Sequence, residues 1–240
     1  HYRVYDVTGP EGPFTDPRPS GFHKSIGGYS ASKLRRYQDL IERQLSKNNM
    51  AVLNMLNAKY FIVPGQNNQP TIQRNPDALG NAWFVRKLKM VTTANEEMKA
   101  LDSLTPRTTA VVDVKFADIL KNAQPTADTT GNIRLTNYHP DKMTYESNTN
   151  SPQIAVFSEV FYKGNEDWKS YIDGREAPHF RADYLLRAMS IPTGKHTIEF
   201  KFEPQTVYKG QKIDLWASIA WILLVGVALV IDFKSKKENQ

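Results

Sequence analysis

The 240-residue chain contains no cysteine. Disulfides, thiolate metal sites and a thiol nucleophile are therefore excluded, and the redox state of its compartment is left open. Histidine is scarce too: His1, His23, His139, His179 and His196 are the whole set, and none stands at ligand spacing from carboxylates, so neither a metal nor any other cofactor is expected. No block of one charge occurs. The formal net charge of +6 is spread along the chain and no nucleic-acid module accompanies it, which argues against a nucleic-acid partner. What remains is the composition of an ordinary folded protein, 40% hydrophobic and 23% charged, with length for one sizeable core or two small ones.

A glycine-rich phosphate loop is also missing, and this decides the reading of YSASK, residues 29–33. Tyr29 and Lys33 have the spacing of the acid/base pair of short-chain dehydrogenases, but that chemistry needs a Rossmann turn holding a pyrophosphate at a helix N-terminus, several strands upstream. The one candidate turn, TGPEGPF at residues 8–14, carries Pro10 and Pro13, each lacking a backbone donor, and lies too close for a sheet to be built between. Tyr29 and Lys33 are instead read as first-turn residues of a helix over Ser30–Leu45, capped by Ser30 or Ser32, whose apolar face (Leu34, Tyr37, Ile41, Leu45) packs on a sheet.

Elsewhere in the first half, HYRVYDV, KYFIV, AWFVRKLKMV (82–91) and TTAVVDV read as strands, MAVLNMLN and NEEMKALDSL as helices. Glu96 and Glu97 are placed on an exposed, solvated helix face. From Gly131 onward, short β-branched and aromatic runs are separated by Pro, Gly and Asn. Asp173-Gly174 is a type I′ hairpin signal, and Pro192 with Gly194 marks a further turn. The fold expected is α+β: a small mixed α/β subdomain over 1–125, then an antiparallel β-sandwich of jelly-roll or immunoglobulin-like kind over 126–207.

Long hydrophobic runs are absent until LWASIAWILLVGVALVI, residues 215–231, where every face is apolar. At about 1.5 Å per residue this run crosses a hydrocarbon core with little tilt. A connector and transmembrane helix are assigned to 208–233 and a basic tail to 234–240. Trp216, Tyr208 and Phe233 suit interfacial positions, and Lys234, Lys236 and Lys237 favour a cytoplasmic C-terminus with the bulk of the chain outside. The opening HYRVYDV, a strand already under way without an initiator Met, reads as part of a longer chain.

Five stretches in order, HKSIGGYSASKLRRYQDLI, VLNMLNAKYFIV, NPDALGNAWFV, AVFSEVFYKGNEDWKSYIDG and YLLRAMSIPTGKHTIEFKFEP, resemble the C-terminal part of bacterial YfhO-type membrane proteins, from about residue 2 to the end. The resemblance implies a polytopic protein of the glycosyltransferase C type in the bacterial cell membrane, moving sugar from a polyprenyl-phosphate donor onto cell-envelope glycans. The acidic residue such proteins use for catalysis belongs to an N-terminal loop with no counterpart here, so no catalytic residue carries over. The expected function is an extracytoplasmic accessory domain beside upstream membrane helices of a parent protein; the alternative is a membrane-anchored, non-enzymatic module that binds glycan or protein.

Two candidate sites emerge. His23 and Lys24 ahead of Gly27-Gly28, with Lys33, Arg35 and Arg36 at the helix start, suggest a site for an anion or lipid headgroup, weighed against plain capping with a solvated basic face. Trp168 and Tyr171, with Tyr162 and Tyr184, suggest a stacking platform for sugar rings, weighed against filling the core between two sheets.

Overall fold

The computed structural model describes residues 1–120, 130–162 and 166–238, which form two compact units, His1–Phe202 and Glu203–Gln240. The first opens with β1 (Arg3–Asp6), α1 (Arg35–Arg43), α2 (Met50–Met55), β2 (Ala58–Pro64) and β3 (Pro70–Arg74). Then come β4 (Ala82–Val85), β5 (Lys87–Val91), α3 (Ala94–Ala100), β6 (Thr109–Asp113) and the short α4 (Ala117–Leu120). The later strands are β7 (Asn132–His139), β8 (Lys142–Thr149), β9 (Gln153–Val160), β10 (Trp168–Ile172), β11 (Arg175–Glu176), β12 (His179–Ala182), β13 (Leu186–Ile191) and β14 (Gly194–Phe202). The second unit is built on one helix, α5 (Gln205–Glu238).

The α+β class and the sandwich are both present. A five-stranded antiparallel sheet, β11-β10-β14-β8-β7, faces a six-stranded sheet, β4-β9-β13-β12-β6-β5. Between them lie Met143, Tyr145, Phe157, Met189, Ile198 and Phe200, all buried. Alternation places these residues: in β8, Met143 and Tyr145 point inward while Glu146 and Asn148 point to water. The six-stranded sheet is apolar on its other face as well. There Ile154 and Val156 of β9 join Leu40 and Ile41 of α1 and Val52 and Leu53 of α2 in a second core. Burial on both faces explains why QIAVFS in β9 has no alternation to read.

The six-stranded sheet crosses the boundary expected at 125/126, which itself lies outside the described residues. Strands β4, β5 and β6 from the first half share it with β9, β12 and β13 from the second. A sheet of this kind pairs segments distant in sequence, which composition along the chain does not register. The stretch 82–91, expected as one strand, is divided by Arg86 into β4 and β5, and these two are the opposite edges of the sheet. The sheet therefore curls until its edges meet at Arg86. A separate three-stranded sheet, β1-β2-β3, has β1 and β2 parallel, with α1 and α2 in the crossover.

Three local expectations need correction. The helix foreseen from Ser30 starts at Arg35, with Leu34 at its N-cap in an extended conformation (ψ 134°). Ser30 instead closes a turn, its carbonyl accepting from Lys33 N at 3.3 Å and its hydroxyl from Ser32 N at 3.3 Å. A serine that offers its own backbone an alternative partner competes with helix. The expected segment 208–214 is not a separate connector, because only Glu203 and Pro204 lie between β14 and α5. Val207 N and Tyr208 N donate to Pro204 O at 3.0 and 3.2 Å, and no proline interrupts the chain from Gln205 onward. Finally, Glu97 is fully buried rather than solvated, while Glu96 is exposed and accepts from Thr92 N at 2.9 Å at the start of α3.

The hairpin signal holds, and Gly27 marks a close approach of backbone. Gly27 is packed so closely that a Cβ there would lie 1.6 Å from Pro13 O. Asp173 and Gly174 both have positive φ, 50° and 79°, as a type I′ turn between β10 and β11 requires. In α5, Gln205–Ile231 is long and apolar enough to cross a membrane, with a mean hydropathy of 2.2 in its most apolar window.

Candidate functional site

The structure disperses the five cations of the expected anion site. Arg36 turns inward, where Nη1 meets Glu97 Oε2 at 3.1 Å and Tyr184 O at 3.1 Å and the guanidinium lies 4.4 Å over the Tyr184 ring. Arg35 pairs one turn along with Asp39 at 2.8 Å, and Lys33 reaches Phe14 O at 3.5 Å. His23 and Lys24 alone of the five share a cleft, about 560 Å³, with Arg3 and the highly exposed Phe22. Residues 30–34 decide this. Because the helix starts at Arg35, Lys33 is left on the preceding turn while Arg36 faces the core.

Within that cleft the charges are already committed. Arg3 Nη1 donates to Leu56 O at 2.9 Å and Ser158 O at 2.6 Å, and Nη2 lies 3.6 Å from Glu159. Lys24 Nζ contacts Tyr138 Oη, lies 3.6 Å from the centre of the Tyr138 ring, and is 3.0 Å from His1 Nε2. Burial pulls the Lys24 ammonium down to about 8, with Arg3 adding to the effect and Glu159 opposing it. His1 stacks on Tyr138 at 3.7 Å and reaches Glu159 at 3.3 Å. The cluster thus ties the N-terminal strand to β7 and β9, and its lysine changes charge in the mildly alkaline range.

The stacking platform is not assembled either. Trp168 is buried in the sandwich core, with Arg187 4.0 Å over its face and Phe202 at 5.4 Å. Tyr171 is three residues along the same strand, so strand alternation puts it on the opposite face, under Lys201 at 4.7 Å. Tyr184 is buried as well, bonded to Asp39 Oδ2 at 3.0 Å.

The open end of the five-stranded sheet carries a constellation the sequence did not suggest. His196 and Ser147 are directly paired across β14 and β8, and Asp173 from the hairpin turn reaches the imidazole. The residue types are those of a nucleophilic triad, but the geometry is different. His196 Nδ1 meets Asp173 Oδ2 at 2.7 Å, and Nε2 meets Thr193 O at 3.0 Å. An acceptor faces each nitrogen, an arrangement that favours the doubly protonated ring, and the pKa is raised, first by the Asp173 hydrogen bond. No nitrogen is left to take a proton from Ser147, whose buried hydroxyl has no partner among the described residues. Asp173 was legible only as a turn residue, since its match to His196 depends on strand pairing.

Among the described residues there is no group of three or more His, Asp or Glu able to hold a metal ion. Comparisons of the chain with family models, with curated proteins and with solved structures yield no match.

Proposed function

We propose that this chain is the accessory domain of a membrane glycosyltransferase-like protein that acts on cell-envelope glycans, anchored by α5 with the sandwich on the extracytoplasmic side. The observation that carries the reading is α5 itself: 27 apolar-rich residues, Gln205–Ile231, with only Glu203 and Pro204 between them and the last strand of the sandwich. Lys234, Lys236 and Lys237 beyond the apolar run favour a cytoplasmic C-terminus. The five stretches that resemble YfhO-type proteins supply the link to glycan transfer from a polyprenyl-phosphate sugar. Chemistry then belongs to upstream membrane segments of the parent protein. In keeping with this, His196 serves as a cationic clamp on the Asp173 turn rather than as a general base.

Two measurements test the reading. Protease added to sealed cells cuts within residues 1–202 if the domain faces outward; complete protection refutes the orientation. In the parent protein, removal of residues 1–202 with α5 retained abolishes glycan transfer while membrane insertion persists. Undiminished transfer would leave a tethered module without an enzymatic role.

A further inference from the structure

The point at which the curled sheet meets itself carries a cleft of about 400 Å³, lined by Phe84, Arg86, Arg107, Thr108, Asn132 and Ile133 among others. Its walls are pinned. Arg86 N and Lys87 N both donate to Thr108 O, at 2.8 and 3.1 Å, and the Trp83 indole donates to Pro106 O at 2.7 Å. The backbone carrying Arg86 and the loop carrying Arg107 are thereby held side by side. Phe84 and Ile133 are anchored in the sandwich core by part of their surface and offer the rest to the cleft.

The two arginines differ from others of the domain. Arg3, Arg35, Arg36 and Arg181 each reach a carboxylate. Among the described residues, neither Arg86 nor Arg107 forms an ion pair or a side-chain hydrogen bond. Among the described residues no carboxylate lines this cleft. Two guanidiniums on fixed backbone present planar forks of donors suited to an oxyanion. The hydroxyl of Thr108 and the amide of Asn132 add neutral polar groups beside them.

We propose that the Arg86–Arg107 cleft binds a small molecule that carries an oxyanion, phosphate ester or carboxylate, next to a ring that packs against Phe84 and Ile133. The assignment is independent of the membrane reading, because every residue involved belongs to the first unit. It concerns a site distinct from the His23/Lys24 cleft, which shares no lining residue with it.

The test is titration of the full chain in detergent micelles with phenyl phosphate, benzoate, inorganic phosphate and uncharged phenol, followed by calorimetry. Saturable binding of phenyl phosphate or benzoate is expected, tighter than inorganic phosphate or phenol. Whichever of the two ring-bearing anions binds more tightly identifies the oxyanion. Arg86→Ala and Arg107→Ala each weaken it by about tenfold or more, in line with loss of a charged hydrogen bond. Arg35→Ala, which removes an exposed cation elsewhere, leaves it unchanged. Both arginines are exposed, so the variants retain the fold, and thermal melting checks this. Arg86→Lys keeps the charge without the fork and recovers part of the affinity. Absence of saturation by both ring-bearing anions overturns the proposal, as does equal affinity in the wild type and the two alanine variants.

Discussion

The carboxylate of Glu97 and the guanidinium of Arg181 meet at 3.0 Å, with side chains 0% and 6% exposed. The same carboxylate takes Arg36 at 3.1 Å and the Tyr184 amide at 3.1 Å, so one buried group joins α1, α3 and the turn after β12. Arg181 also lies 3.4 Å from Asp113. Removing one member of such a set leaves uncompensated charge in the interior. Glu97→Gln keeps the shape and deletes the charge, and chemical denaturation is expected to find a loss of about 3–5 kcal/mol. Glu96→Gln, on the exposed side of the same turn, is expected to cost much less. A loss for Glu97→Gln as small as that for Glu96→Gln would mean that water enters the cluster.

Asp183 sits fully buried in the same region, with φ of 50° and Oδ1 accepting from Val111 N at 2.8 Å. Burial pushes its carboxyl up to about 7, and the charge on Glu97 adds to this against the Val111 hydrogen bond. A carboxyl raised in the folded state keeps its proton there while the unfolded chain loses it. Its contribution is complete below pH about 4 and is lost as pH rises toward 7, by up to about 4 kcal/mol. Asp183→Asn retains the acceptor, tolerates the left-handed backbone and cannot ionise. Denaturation midpoints measured from pH 4 to 8 should diverge, with the variant ahead at pH 8. Parallel curves would show that Asp183 does not titrate in this window.

His196 offers a second pH signature. Its folded pKa is raised by Asp173, so its contribution is present in full below the ordinary histidine range and fades as pH climbs through the raised value. His196→Ala should therefore cost more stability at pH 5.5 than at pH 9. If NMR titration finds Nε2 unprotonated at pH 5.5, the cationic clamp is wrong and a base role for His196 reopens.

Leu224 lies near the middle of the apolar part of α5 and is exposed. An arginine at a membrane helix centre costs about 2.5–3.5 kcal/mol on insertion scales. Leu224→Arg should shift the chain from the carbonate-resistant membrane fraction toward the soluble one, whereas Leu224→Phe should not. Identical partitioning of the two variants would argue that α5 does not cross a bilayer.

The elements whose signals are local were legible before the fold was known. The 215–231 run, the Asp173-Gly174 hairpin and the short strands after residue 131 each depend on neighbours within a few positions. Glu97 was not legible, because the same NEEMK pattern serves an exposed helix equally well; only a partner 84 positions away in Arg181 makes its burial tolerable. The residues of the expected anion site part for the same reason. Lys24, Lys33, Arg35 and Arg36 are close in sequence, yet a turn of five residues and a late helix start send them to Tyr138, Phe14, Asp39 and Glu97.

By itself, then, the amino-acid order determined the α+β class, the presence of antiparallel sheets and one apolar helix near the C-terminus, because periodicity and turn chemistry act over a few residues. Tertiary structure alone decided which strands share a sheet, which charges are buried and where Arg86 and Arg107 stand free beside a cleft. Those outcomes depend on pairing across long stretches of chain, where the free energy comes from partners that no local pattern names.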